Sequence, residues 1–166
     1  MSDLELPAGV TVSSAGVLLP GDVDQFHRRL HQVAGGSLGV HTGQTAGMSR
    51  YEAISGNSVG SRNLWMGQTH VGPSTNSANH HHGESETAIY VVSGNPVFVF
   101  LDQDGDEAVE RRLETAPGDY VFVPPFLPHR EENPDPANEA VVVIARTTQE
   151  AIVINLDSLA WSVRKS

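Results

Sequence analysis

The stretch NHHHGESET, residues 79–87, sets three histidines and two glutamates ahead of a β-branched run, IYVVSG. Imidazole nitrogens and carboxylate oxygens bind divalent transition metals, and a carboxylate also moves protons. Alternate residues of a strand face one side, so His80 and His82 aim both imidazoles into one interior while His81 faces away. Further on, GDYVFVPPFLPHREEN carries His129 just beyond a strand end. Closure of an antiparallel barrel brings it opposite the first pair. Three histidines and Glu86 then form a site with nitrogen and oxygen ligands only. Glu84, in the turn itself, is the rival to Glu86. The chain has no cysteine, so neither a thiolate metal site nor a disulfide framework is available.

These residues need a scaffold of strands. From about Arg62 onward the chain reads as short β runs separated by Gly, Pro, Asp and Asn signals: NLWMGQTHV, TAIYVVS, PVFVFL, EAVERRLE, DYVFVP, EAVVVIAR and AIVINL. DQDGD between two of them is a hairpin signal. Tyr51 to Ser55 is expected as an edge strand. Trp65, Tyr90, Phe98, Phe100, Tyr120 and Phe122 alternate within the runs, and most are expected in the core. One helix is expected in GDVDQFHRRLHQVAGG, residues 21–36, where Val23, Phe26, Leu30 and Val33 share a face and two glycines supply the stop. The expected organisation is an N-terminal extension over 1–60 that packs on the barrel or a partner, a barrel over 61–157, and a tail over 158–166.

Composition narrows the function classes. The 166 residues are 39% hydrophobic and 18% charged, and no run approaches the ~18 apolar residues of a membrane span. A formal charge of −10 opposes binding to phosphate backbones, so neither nucleic acid nor membrane is an expected partner. The opening MSDLELPAGV carries two acids and neither a basic nor an apolar signal region, which makes the cytoplasm the expected location.

The chain resembles the cupins, specifically a single-domain type-2 cupin. The first family motif runs from a glycine through two histidines and a glutamate to a second glycine, and His80, His82, Glu86 and Gly94 occupy its places. The second runs from glycine through proline and histidine to asparagine, and Gly118, Pro124, His129 and Asn133 fit it. There are departures. The opening glycine of the first motif falls on Ser74, and the inner glycine of the second falls on Phe126. One extra residue separates Glu86 from Gly94, and a register taken from YVVSG puts the glutamate position on Thr87 instead.

The resemblance implies an all-β jelly-roll barrel, the double-stranded β-helix, with one divalent metal, Zn, Fe, Mn, Ni or Co, held by His80, His82, Glu86 and His129. It also implies a small-molecule substrate and a homodimer. Glu86 is the expected catalytic residue, and Thr87 and Phe126 are the expected pocket residues. Two chemistries suit such a site: Lewis-acid cyclisation or isomerisation, as in the polyketide-cyclase-like small cupins, and dioxygen activation by a redox metal. A binding module without turnover is the third reading, because fold alone does not settle reaction.

Overall fold

The computed structural model describes residues 11–13, 16–18, 29–44, 47–103, 107–148 and 151–161. The chain divides into two compact units, residues 1–32 and 33–166. In the first, β1 (Thr11–Ser13) pairs antiparallel with β2 (Gly16–Leu18).

The second unit holds two antiparallel sheets. One contains β3 (Met48–Ile54), β4 (Trp65–Val71), β7 (Thr87–Ser93), β10 (Tyr120–Val123) and β12 (Ala140–Arg146), in the spatial order β10-β7-β12-β4-β3. The other has the order β13-β6-β11-β8-β9, from β6 (His80–His81), β8 (Val97–Asp102), β9 (Val109–Glu114), β11 (His129–Asn133) and β13 (Ile154–Asn155), with β5 (Thr75–Asn76) added beside β11. This is the expected all-β jelly roll.

Strict alternation builds the first sheet. Every second residue of β4 and β12 is buried, which puts Trp65, Thr69, Val71, Val142, Ile144 and Arg146 on the inner face. Trp65, Ile89, Val91, Val142 and Ile144 meet Phe98 and Val123 in one core cluster. Of the six aromatics expected in strands, Trp65 and Phe98 are buried, whereas Tyr90, Tyr120 and Phe122 face outward. Period two fixes which residues share a face but not which face is inside. Gly94 has φ +77, and a Cβ there would meet Ala140 at 2.8 Å, so the turn after β7 requires glycine.

Two local expectations change. The helix expected over 21–36 falls partly on residues 21–28, outside the described residues. Arg29–Ala34 carry no helix, and only a 3-10 turn at Gly35–Ser37 follows. The α-helix among the described residues is α1 (Gly56–Val59), started by a Ser55 and Ser58 capping box. The strand expected at Tyr51 to Ser55 begins earlier, as β3, and is hydrogen-bonded to β4, so sheet structure precedes residue 61. The centre of the DQDGD turn, residues 104–106, also lies outside the described residues, while β8 and β9 pair on either side of it. No helix among the described residues is long and apolar enough to cross a membrane.

Candidate metal centre

Strand pairing brings the ligands together. His129 opens β11 and lies directly opposite His80 of β6. Glu131, two residues further along β11, shares the His129 face. His82 follows β6 before the chain turns at Gly83, whose φ is +60. His80, His82, His129 and Glu131 are all buried, and one ligand atom from each lies within 4.8 Å of the others. The imidazole centroids are 4.5 Å apart for His80 and His129, 4.7 Å for His82 and His129, and 5.1 Å for His80 and His82.

Hydrogen bonding sorts the two nitrogens of each ring. Nδ1 of His80 lies 2.8 Å from the Ala78 carbonyl, and Nδ1 of His129 lies 2.9 Å from the Leu127 carbonyl. A carbonyl only accepts, so both rings carry their proton on Nδ1 and present a lone pair at Nε2. His82 Nδ1 is 2.9 Å from the Thr87 hydroxyl, which accepts from the same tautomer. Nε2 of all three histidines and Oε2 of Glu131 are buried with no hydrogen-bond partner. Four buried acceptors left without a partner are costly unless a cation joins them. The set fits a divalent transition metal, whose bonds of about 2.1 Å hold nitrogen and oxygen ligands about 3 to 4 Å apart. Nε2 of His80 and of His129 lie 3.6 and 3.7 Å from the Glu131 oxygens. These four residues form a divalent-metal site.

The electrostatics agree. Burial pushes the His80 and His82 pKa values down from the ordinary histidine range, against the pull of Glu131, and for His82 the Arg146 guanidinium pushes further the same way. Burial alone would raise the Glu131 carboxyl, but the His80, His129 and His82 imidazoles hold it well below the usual carboxylate range. Burial thus favours the neutral form of His80 and His82, and the cluster favours the ionised form of Glu131, the forms a metal requires.

Glu86 is not among the four. It is exposed, and β7 begins immediately after it with Thr87 inward. Alternation therefore turns Ser85 and Thr87 in and Glu86 out, and the carboxylate beside the histidines is Glu131. Glu84 is also exposed. Thr87 is fully buried, but its hydroxyl meets His82 and orients that ring. Phe126 is 53% exposed at φ +60, with its ring centroid 5.8 Å from His81. His81 is half-buried, and its Nδ1 accepts from the Gly83 N–H rather than facing the cluster. The sequence did hold a signal for Glu131. In HREEN, counting by two from His129 puts Glu131 and Asn133 on the ligand face. Asn133 ties the barrel end shut, its Nδ2 donating to the carbonyls of Val71, Gly72 and Asn138 at 3.0, 3.1 and 2.8 Å.

Two antiparallel sheets around a buried three-histidine, one-glutamate cluster define a metal-binding jelly-roll barrel. Residues 67–145 match the cupin domain family, and the fold resembles that of the small cupins. Among solved structures it is similar to the polyketide cyclase RemF from Streptomyces resistomycificus, at 21% identity over 77% of this chain and 86% of that one, with a TM-score of 0.61. It is also similar to oxalate decarboxylase from Bacillus subtilis, at 22% identity over 68% of this chain and a TM-score of 0.58. The match spans only 28% of that longer protein. A third match is Peruvianin-I, a cysteine peptidase from Thevetia peruviana latex, at 14% identity over 74% of this chain and 75% of that one, with a TM-score of 0.58. The present chain has no cysteine, so these likenesses carry the fold and not the reaction. No curated protein matches the sequence.

Proposed function

We propose that the protein is a metal-dependent enzyme acting on a small, oxygen-rich molecule, enolisable or aromatic, by Lewis-acid cyclisation or isomerisation. The observation that carries this reading is the convergence of the unpartnered Nε2 atoms of His80, His82 and His129 on Glu131. When bound, a divalent ion would polarise a carbonyl or enol oxygen of the substrate. The chain's own residues do the positioning. The Ala78 and Leu127 carbonyls fix the tautomers of His80 and His129, Thr87 holds His82, and all four side chains of the cluster are buried. Among the described residues Glu131 is the carboxylate inside the cluster, so the catalytic role expected of Glu86 has no geometric support.

Elemental analysis of tag-free protein, paired with its visible spectrum under air and under nitrogen, tests the reading. One equivalent of zinc supports the Lewis-acid reaction. One equivalent of iron or manganese with an oxygen-sensitive spectrum moves the reaction to dioxygen chemistry, which a ligand set of imidazole and carboxylate equally suits. No metal, and no uptake on titration, would sink both and leave a binding module.

A further inference from the structure

Two arginines lie inside the barrel unit at 1% exposure each, Arg50 on β3 and Arg146 on β12. Arginine is almost never fully buried unless it is paired. Arg50 donates through Nη1 to the Gly43 carbonyl. Arg146 donates through Nη1 to the Ile152 carbonyl at 2.7 Å, and its guanidinium carbon sits 5.8 Å from the centre of the Trp65 ring. These contacts satisfy one face and one N–H of Arg146. Its Nε and Nη2 are buried and have no partner, and among the described residues no carboxylate forms an ion pair with it.

The identity of the unpaired atoms is informative. Nε–H and the adjacent Nη2–H form the side edge of the guanidinium, two parallel donors whose spacing matches the two oxygens of a carboxylate. A purely structural arginine would be expected to turn this edge toward a carbonyl or a water-exposed surface, since a buried unpaired donor is costly. The strand register places Arg146 beside the metal site. It lies opposite Thr87 in the pairing of β12 with β7, and the Thr87 hydroxyl is the group bonded to His82. On the same inner sheet face the Thr69 hydroxyl is also buried without a partner. Charge points the same way. The Arg146 guanidinium has no ion-pair partner among the described residues, and a divalent ion in the cluster would add positive charge near it that an anionic ligand offsets. A cleft of about 380 Å3 is lined by His41, Thr42, Glu52, Asn57, Gly43, whose carbonyl Arg50 holds, and Ala151, the neighbour of Ile152.

We propose that the side edge of Arg146 binds a carboxylate of the substrate inside the barrel, so that the substrate is an organic acid whose enol or carbonyl oxygen is presented to the metal. This rests on the metal-enzyme reading above and names the substrate class for it. Arg146 is here a substrate-binding residue, and Trp65 and the Ile152 carbonyl set the plane of its guanidinium.

The experiment is calorimetric titration of metal-loaded, full-length protein with acetoacetate and, separately, with its uncharged isostere acetoacetamide, with metal content measured in every sample. The wild type is expected to bind acetoacetate at least tenfold more tightly. Arg146→Gln is expected to lose at least tenfold in acetoacetate affinity while keeping its metal, and Arg146→Lys to fall between, since lysine keeps the charge and loses the fork. Equal affinities for the acid and the amide, or wild-type acetoacetate affinity in folded, metal-loaded Arg146→Gln, would overturn the proposal and leave Arg146 as an anchor for Ile152. If Arg146→Gln does not fold, the acid-to-amide ratio and Arg146→Lys decide. Titration of chelator-treated protein separates the two readings. Arg146-dependent acetoacetate binding in a protein that takes up no metal would keep this inference and end the metal-enzyme reading, whereas metal uptake without any preference for the acid would do the reverse.

Discussion

Inside the barrel the two sheets carry opposite chemistry. From the six-stranded sheet come His80, His129 and Glu131, with His82 at the end of β6, and their unsatisfied atoms are all acceptors. The five-stranded sheet contributes Arg50 and Arg146, and the unsatisfied atoms of Arg146 are both donors. The construction is the same on both sides. One edge of each polar group is anchored to a neighbouring group, Nδ1 of the histidines to Ala78, Leu127 and Thr87, and Nη1 of Arg146 to Ile152, while the opposite edge is left unpaired. One wall is therefore built for a cation and the other for an anion. The comparison also shows that a protein at −10 overall buries a guanidinium without an ion-pair partner, that of Arg146, beside its metal site.

The largest expected effect separates the walls outright. His129→Ala or Glu131→Ala should lose stoichiometric metal, as should His82→Ala, whereas Arg146→Gln and Glu86→Gln should keep one equivalent by elemental analysis. Loss of metal in Glu86→Gln, with retention in Glu131→Ala, would return the fourth ligand to Glu86. Next comes Thr87→Val, which removes the hydroxyl that fixes His82 without touching a ligand. Metal affinity should fall by about 10- to 100-fold, read by competition with a chromophoric chelator. An unchanged affinity would mean that packing alone orients His82.

Acid should act first on the acceptor wall. The pKa values of His80 and His82 are lowered by burial, so the unfolded chain takes up protons near pH 6.5 that the folded chain refuses. Their contribution to stability is complete above that pH and is lost as the pH falls below it. Glu131, held below the usual carboxylate range, adds a loss that starts only near pH 4.5. The urea midpoint of metal-free protein should therefore drop between about pH 7.5 and about pH 5.5. An unchanged midpoint would show that the barrel does not hold these imidazoles neutral. Asn133→Ala, at the far end of β11, should cost about 1–3 kcal/mol by leaving buried carbonyls unpaired, with little effect on metal content.

The acceptor wall was largely legible in the sequence and the donor wall was not. His80, His82 and His129 stood out because their spacing has few other uses. Glu131 was hidden because HREEN, with its charges, does not read as a strand, and only its alternation from His129 reveals the inward face. The Glu86 assignment took motif spacing across a turn as a guide to direction, but Gly83 reverses the chain and the register restarts at Thr87. Arg50 and Arg146 sit at alternating positions in ordinary strands, and an arginine is by default read as a surface residue. Only the pairing of β3, β4, β12 and β7 turns them inward.

The smallest effect concerns the two places where this chain departs from the family's glycines. Ser74 at φ +48 and Phe126 at φ +60 are the non-glycine residues with positive φ among the described residues, so the backbone turn persists where the glycine does not. A β-carbon in this conformation costs about 1–2 kcal/mol. Ser74→Gly and Phe126→Gly should therefore each raise stability by about 1 kcal/mol, offset for Phe126 by the ring contact with His81. The two sites differ in place. Ser74 precedes β5, which pairs with the Asn133 end of β11, whereas Phe126 precedes the His129 end and donates its N–H to the Gly83 carbonyl at 2.7 Å. If Phe126 is kept for the ligand, Phe126→Gly will stabilise the fold and weaken acetoacetate binding, while Ser74→Gly will only stabilise. Equal behaviour of the two variants in the same titration would remove Phe126 from the pocket and leave its strained turn without a functional reason.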